Sequence, residues 1–393
     1  MLAAMRLVRI VGLAGIAALA AGQAPYVDPA DDGKHLGSAE DVLFWSLQQK
    51  VAGFRNYQKV RPARRVPAGD WFRPLPAGEP LGGDLAWRAK GTQWTLDTYF
   101  VKTNLAGLLV LQDGEVVYER YGLGNTRDTR WVSFSVAKSA VSMLVGAAVQ
   151  DGYIENLDER VTDYLPRLKG SAYDGTTIRD LLRMASGVQW DETYDDPKSD
   201  VATAPWETLA LQRFLGAKPR AAETGERFNY NTAETNLVGT LLRAAVGNNL
   251  STYLSEKIWR PFGMERDAHW TLTEAGGGEF GGCCLNATLR DYARLGLFAL
   301  AGGQLDDGRR VLPEGWMRES TTPSPAYEGY GYFWWLTPAG AYRASGIFGQ
   351  RIFVDPKARV VIAQHAARKD ASNDADWKLQ AAMESAVVGR FSE

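Results

Sequence analysis

Ser135-Val136-Ala137-Lys138 is the single Ser-x-x-Lys of this 393-residue chain. A hydroxyl and an ammonium three residues apart share one face of a helix. At a helix N-terminus the backbone dipole favours an attacking alkoxide and the oxyanion it generates. A lysine desolvated in that position has its neutral form favoured, so it can take the serine proton. One motif therefore offers a nucleophile, its base and part of an oxyanion site. Average composition supplies about one such match by chance in a chain of this length. The plain alternative is a capping serine beside a lysine that snorkels from a core helix.

The flanking residues supply the setting. Trp131-Val132-Ser133-Phe134 is apolar and β-prone, and Ser139 to Val149 is a run of small and apolar residues ended by Asp151-Gly152. This predicts a strand that gives way to a nearly all-round buried helix at Ser135. Two further segments can serve such a pair. Tyr230, in the loop Glu226-Arg227-Phe228-Asn229-Tyr230-Asn231-Thr232 ahead of a predicted helix, can relay protons if the lysine ammonium favours its phenolate. Ala344-Ser345-Gly346-Ile347-Phe348-Gly349-Gln350 reads as a glycine-containing strand entry. There a backbone N–H can act as a second oxyanion donor. Taken singly, these are a half-buried tyrosine and a glycine-rich strand.

Composition narrows the chemistry. Net charge is -2 with no long Lys/Arg run, so no nucleic-acid partner is expected. The histidines are His35, His269 and His365 and the cysteines Cys283 and Cys284. Their spacing fits no zinc site, and neither a metal nor a cofactor is expected. With no Gly-x-Ser-x-Gly elbow either, a Ser-His-Asp triad is disfavoured. The adjacent cysteines read as two small buried hydrophobes, the alternative being a vicinal disulfide. Residues 1–24 carry Arg6 and Arg9 before an apolar stretch, Ile10 to Ala20, which ends in small residues. They read as a signal peptide cleaved after Ala18-Leu19-Ala20, or else an uncleaved anchor. The expected location is secreted or periplasmic, with no stable membrane association after cleavage.

A hairpin is predicted at Ala106–Leu111 and Val116–Tyr121 about Asp113-Gly114. Short helices are expected at Asp41–Gln49 and Ile178–Met184, and longer ones at Asn236–Val246, Leu250–Ile258 and Asp291–Leu300. Strands return at Tyr330–Trp335, Gly349–Val354 and Arg359–His365, before a helix from Asp374 to Val388. Strands at both ends bracket a helical middle, so an α/β (α+β) fold follows: an antiparallel sheet flanked by helices, with a mainly helical insertion. One domain is expected over residues 25–390. Its sheet part covers about 40–150 and 305–390, and its helical part about 151–304.

Ser-x-x-Lys, a Tyr-x-Asn-like loop and a glycine-containing C-terminal strand, in that order, resemble the serine β-lactamase and penicillin-binding superfamily. Runs such as Met184-Ala185-Ser186-Gly187-Val188-Gln189-Trp190, Asn286 to Arg294 and Gly346 to Arg351 resemble its class C-like branch, that of the 6-aminohexanoate-dimer (nylon-oligomer) hydrolases and related esterases. The resemblance covers Glu40 to Ala367. It implies that Ser135 is acylated, that Lys138 is its base, and that Tyr230 passes the proton to the leaving group. It also implies an oxyanion hole made by the Ser135 and Ile347 N–H groups, substrate contact by Tyr194, and a pocket wall at Trp334 or Trp335.

Two departures bear on the substrate. Thr232 stands where β-lactamases carry the Asn of Tyr-x-Asn, and Ala344-Ser345-Gly346 stands where they carry Lys-Thr-Gly. Thr232, Ser345 and Gly346 thus join the candidate substrate-binding residues, and Arg343 is the remaining candidate cation. Without the usual pair, charge-assisted recognition of a β-lactam carboxylate is lost. The expectation is a serine hydrolase of a small-molecule ester or amide; the alternatives are a β-lactamase or D-alanyl-D-alanine carboxypeptidase, and a non-catalytic binding member of the fold.

Overall fold

The computed structural model describes residues 28–392, so the leader expected at 1–24 lies outside the described residues. Strands β1 (Ala63–Val66), β2 (Ala86–Ala89), β3 (Thr92–Thr95), β4 (Leu105–Gln112), β5 (Glu115–Tyr121) and β6 (Arg130–Val132) precede the helical stretch. Within and after it come β7 (Ala268–Thr271), β8 (Leu285–Thr288), β9 (Trp335–Leu336), β10 (Tyr342–Gly346), β11 (Gln350–Asp355) and β12 (Val360–Ala366). Five helices matter for the site: α1 (Leu47–Arg55), α2 (Val136–Gln150), α3 (Thr232–Val246), α4 (Leu289–Leu300) and α5 (Asp374–Gly389).

The main sheet has the order β5-β4-β12-β11-β10-β9, antiparallel throughout, so both ends of the chain build it as expected. Its central strands are apolar on both faces because both are covered. Leu109 and Leu111 of β4 face one core with Val361 and Ala363 of β12, whereas Leu108 and Val110 face a second core with Val360 and Ile362. Helix α4 packs on the first face, against β12, β11 and β4. Met383 and Val387 of α5 fill the second.

Several elements differ from expectation. The helix expected at Asp41–Gln49 starts at Leu47, because Ser46 and Gln49 form a reciprocal cap there. The middle of the chain also contains β7 and β8, which join β1 and β6 in a second sheet ordered β1-β7-β8-β6. Of the strand expected at Tyr330–Trp335 the last residue opens a strand and Tyr330 makes an isolated bridge back to it, while between them Phe333 takes φ 58° and donates to Leu182 O. The segment 344–350 is the end of β10, a turn at Ile347–Gly349 and the start of β11, not a single strand entry. Cys283 and Cys284 are buried, and their sulfurs lie against each other, the pairing that is the alternative reading.

Candidate active site

Helix α2 begins where β6 ends. Between them Phe134 takes φ 44°, turning the chain so that Ser135 opens the helix. Such a backbone costs on the order of 1 kcal/mol in a non-glycine residue and persists only where packing holds it. Here the Phe134 ring meets Phe54 of α1 at 5.0 Å and Phe348 at 5.4 Å. Phe348 sits in the β10–β11 turn at φ 60°. The residue before Ser135 and the residue after Ile347 are thus packed on one another. Gly346 completes the approach, because a Cβ there would stand 2.3 Å from Ser133 O. Ser135 and Ile347 accordingly line the same cleft.

Lys138, one turn into α2, is fully buried. Its Nζ donates to Ser135 Oγ at 2.9 Å, Gly282 O at 2.9 Å and Thr232 Oγ1 at 3.1 Å. Burial lowers its ammonium to about 7, with the Glu192 carboxylate pulling the other way. Asn231 caps α3 through the Glu234 N–H. Tyr230 and Thr232 flank that cap, one on each side of it. Tyr230 lines the cleft with Ser135, and its ring lies 5.1 Å from Lys138 Nζ. Burial, reinforced by Glu192, pushes its phenol well up, the nearby Ser135 side chain offsetting part of that. This corrects the phenolate expected from the sequence: Tyr230 keeps its proton, and Lys138 is the group able to accept one.

The remaining candidates divide. Tyr194 lines the cleft and donates to Glu192 Oε1 at 2.8 Å. Trp335 lines it as well, stacked on Tyr230 at 5.5 Å and 21°. Trp334 does not: it is buried and packs edge-on against Tyr342 at 5.2 Å. Thr232 is occupied by Lys138 and Glu192 rather than free for substrate. Ser345 lines the cleft with its hydroxyl engaged by Arg351. Arg343, the candidate cation, is already paired with Glu384 at 3.2 Å. Among the described residues no histidine lines the cleft, and His365 stacks on Trp131 beneath the sheet.

Sequence reasoning gave Glu192 no role. It accepts from Trp190 Nε1, Tyr194 OH and the hydroxyl and N–H of Thr232, tying the 190–194 loop to the start of α3. The signal available was the Trp190-x-Glu192-x-Tyr194 alternation, which places the three on one side of an extended segment. The assembled groups can deprotonate a hydroxyl, hold an oxyanion and return a proton.

Comparison with known proteins identifies the family and the fold. A beta-lactamase family model matches residues 100–383. Over 300 residues the chain is 32% identical to the 6-aminohexanoate-dimer hydrolase of Paenarthrobacter ureafaciens, which covers 70% of this chain and 76% of that protein. A solved structure from Bacillus anthracis, provisionally described as a 6-aminohexanoate-dimer hydrolase, superposes with a TM-score of 0.77 at 23% identity, covering 87% of this chain and 93% of that one. A penicillin-binding protein from Bacillus halodurans gives a TM-score of 0.60 at 18% identity, over 74% and 99% of the two chains. These last two likenesses are of fold.

Proposed function

Because the chain belongs to the beta-lactamase family, we propose that this hydrolase opens a small ester or linear amide through an acyl-enzyme at Ser135. Neutral Lys138 takes the Ser135 Oγ proton across 2.9 Å, and Oγ bonds to the substrate carbonyl carbon. The oxyanion is held by the Ser135 and Ile347 N–H groups, fixed donors aimed where the charge develops. Tyr230 gives its proton to the departing oxygen or nitrogen as that bond breaks, and recovers one from the Lys138 ammonium. A water activated by the same pair then releases the acid and restores Ser135.

The observation that carries this reading is the Ser135 hydroxyl 2.9 Å from the buried Lys138 Nζ, in a cleft that Tyr230 and Ile347 also line. Ser135→Ala should abolish labelling by a fluorophosphonate probe; labelling that persists would overturn the assignment. The commitment of Arg343 to Glu384 and of Thr232 to Lys138 favours esters and linear amides over β-lactams. Losing one charged hydrogen bond costs about 10- to 100-fold, so nitrocefin should turn over at least that much more slowly than a p-nitrophenyl ester. The leader-like residues 1–24 support a secreted or periplasmic location, and N-terminal sequencing of the exported protein should read from just after Ala20.

A further inference from the structure

Ser135 stands between two hollows of opposite character. The wide cleft, about 620 Å³, carries charges of both signs, Arg343, Arg351 and Arg368 facing Asp370, Asp374 and Asp376. Behind the serine is a narrow recess of about 90 Å³ with walls that include Phe44, Trp190, Val201, Pro205, Trp206 and Phe280. Ser135, Tyr194 and Ile347 border both hollows. Tyr230 borders the wide cleft alone, whereas Thr232 and Gly282, the other partners of Lys138, border the recess. A substrate carbonyl bonded to Ser135, its oxygen toward the Ile347 N–H, sends one substituent into each hollow. The substituent protonated by Tyr230 is the one in the wide cleft.

Resting on the hydrolase reading above, we propose that the recess is the acyl-binding site, that it selects an uncharged aliphatic acyl chain, and that the alcohol or amine departs into the wide cleft. Among the described residues the single charged side chain bordering the recess is Glu40, which is exposed at its rim and so screened by water. The Arg61 guanidinium lies 3.6 Å over the Trp206 ring, adding positive charge beside that wall. The Glu192 carboxylate, held behind the wall by Trp190, Tyr194 and Thr232, already accepts four hydrogen bonds from them, so an acyl chain ending in an ammonium would lose its hydration in the recess without gaining a free counter-charge. Methylenes, by contrast, gain from every apolar contact.

Two ester series test the proposal. With p-nitrophenol constant and the acyl group lengthened from acetyl to butanoyl, kcat/KM should rise about fourfold per methylene. With acetyl constant and the alcohol lengthened by the same steps, it should change little. An ω-ammonium acyl ester should react at least about tenfold more slowly than the alkyl ester of equal length. Ala204→Trp, at a recess position outside the catalytic groups, should flatten the acyl series while acetate turnover is kept. A flat acyl series in the wild type, a slope that follows the alcohol instead, or an ω-ammonium ester as good as its alkyl match would overturn the acyl assignment with the hydrolase intact. Absence of any Ser135-dependent ester hydrolysis would overturn the hydrolase reading itself and this inference with it.

Discussion

Lys138 and Glu192 set the pH behaviour of the site between them. The lysine must be neutral to act as base, and burial brings its ammonium to about 7. The neutral fraction then falls tenfold for each pH unit below that value. The expected profile of kcat/KM for a p-nitrophenyl ester rises with pH and levels above about 7. Glu192 favours the ammonium, so Glu192→Gln should move this limb to lower pH; an unmoved limb would show that its charge does not reach Lys138. Lys138→Ala should cost about 10²- to 10⁴-fold in kcat, the usual range for a positioned base. The serine and lysine were legible in the sequence because their spacing is local. Glu192 was not, since its role depends on Thr232, forty residues along the chain, and neither was the choice between Trp334 and Trp335.

The elements matter through their ends. A strand-to-helix turn and a hairpin turn each place a phenylalanine at positive φ, and Phe54 of α1 packs on both, at 5.0 Å and 5.4 Å. Phe54→Ala should cost about 3–5 kcal/mol of stability as a core truncation. It should also loosen the alignment of the Ser135 and Ile347 N–H groups. A misplacement of about 1 Å can cost about 100-fold, so kcat for a small ester should fall with KM little changed, while thermal unfolding shows the midpoint lowered. A variant that lost stability but kept full kcat would separate the clamp from the chemistry. The β4–β5 hairpin and α2 could be read in advance because each is a long pattern of one period. Strands β7 and β8 have four residues each, and β8 is buried at every position, so neither offers an alternation to detect. The positive φ of Phe348 comes from tertiary packing and has no local signature.

At the scale of the whole molecule, one buried carboxylic acid links stability to pH. Glu234 of α3 accepts from Tyr173 and Ser186 through Oε1, while Oε2 has no partner among the described residues. Burial raises it from 4.5 to about 8. The folded chain therefore holds a proton that the unfolded chain releases above about 4.5. This contribution is complete below that pH and is lost as pH rises toward about 8. The buried His365, whose imidazole is lowered to about 3, acts in the opposite sense up to about 6.5, so the expected signature is a difference: from pH 5 to pH 8 the urea midpoint of the wild type should fall relative to that of Glu234→Gln. A fall equal in the variant would place its cause elsewhere. The sheet-and-insertion plan was legible from strand patterns at both ends, but α4, read as part of the helical middle, packs on the main sheet.

The pairing of β4 with β12 also orders events in time. A nascent chain emerges from the ribosome with β4 ready, but the strand that shares its inner edge, at Val360–Ala366, follows only after the whole helical middle has been made. Until then β4 has an open ladder and Ile347 has no fixed place beside Ser135. A contact this distant along the chain is closed late and slowly. The two halves of the cleft are therefore made far apart in time, and Ser135 gains Ile347 as its neighbour only once these distant strands have paired.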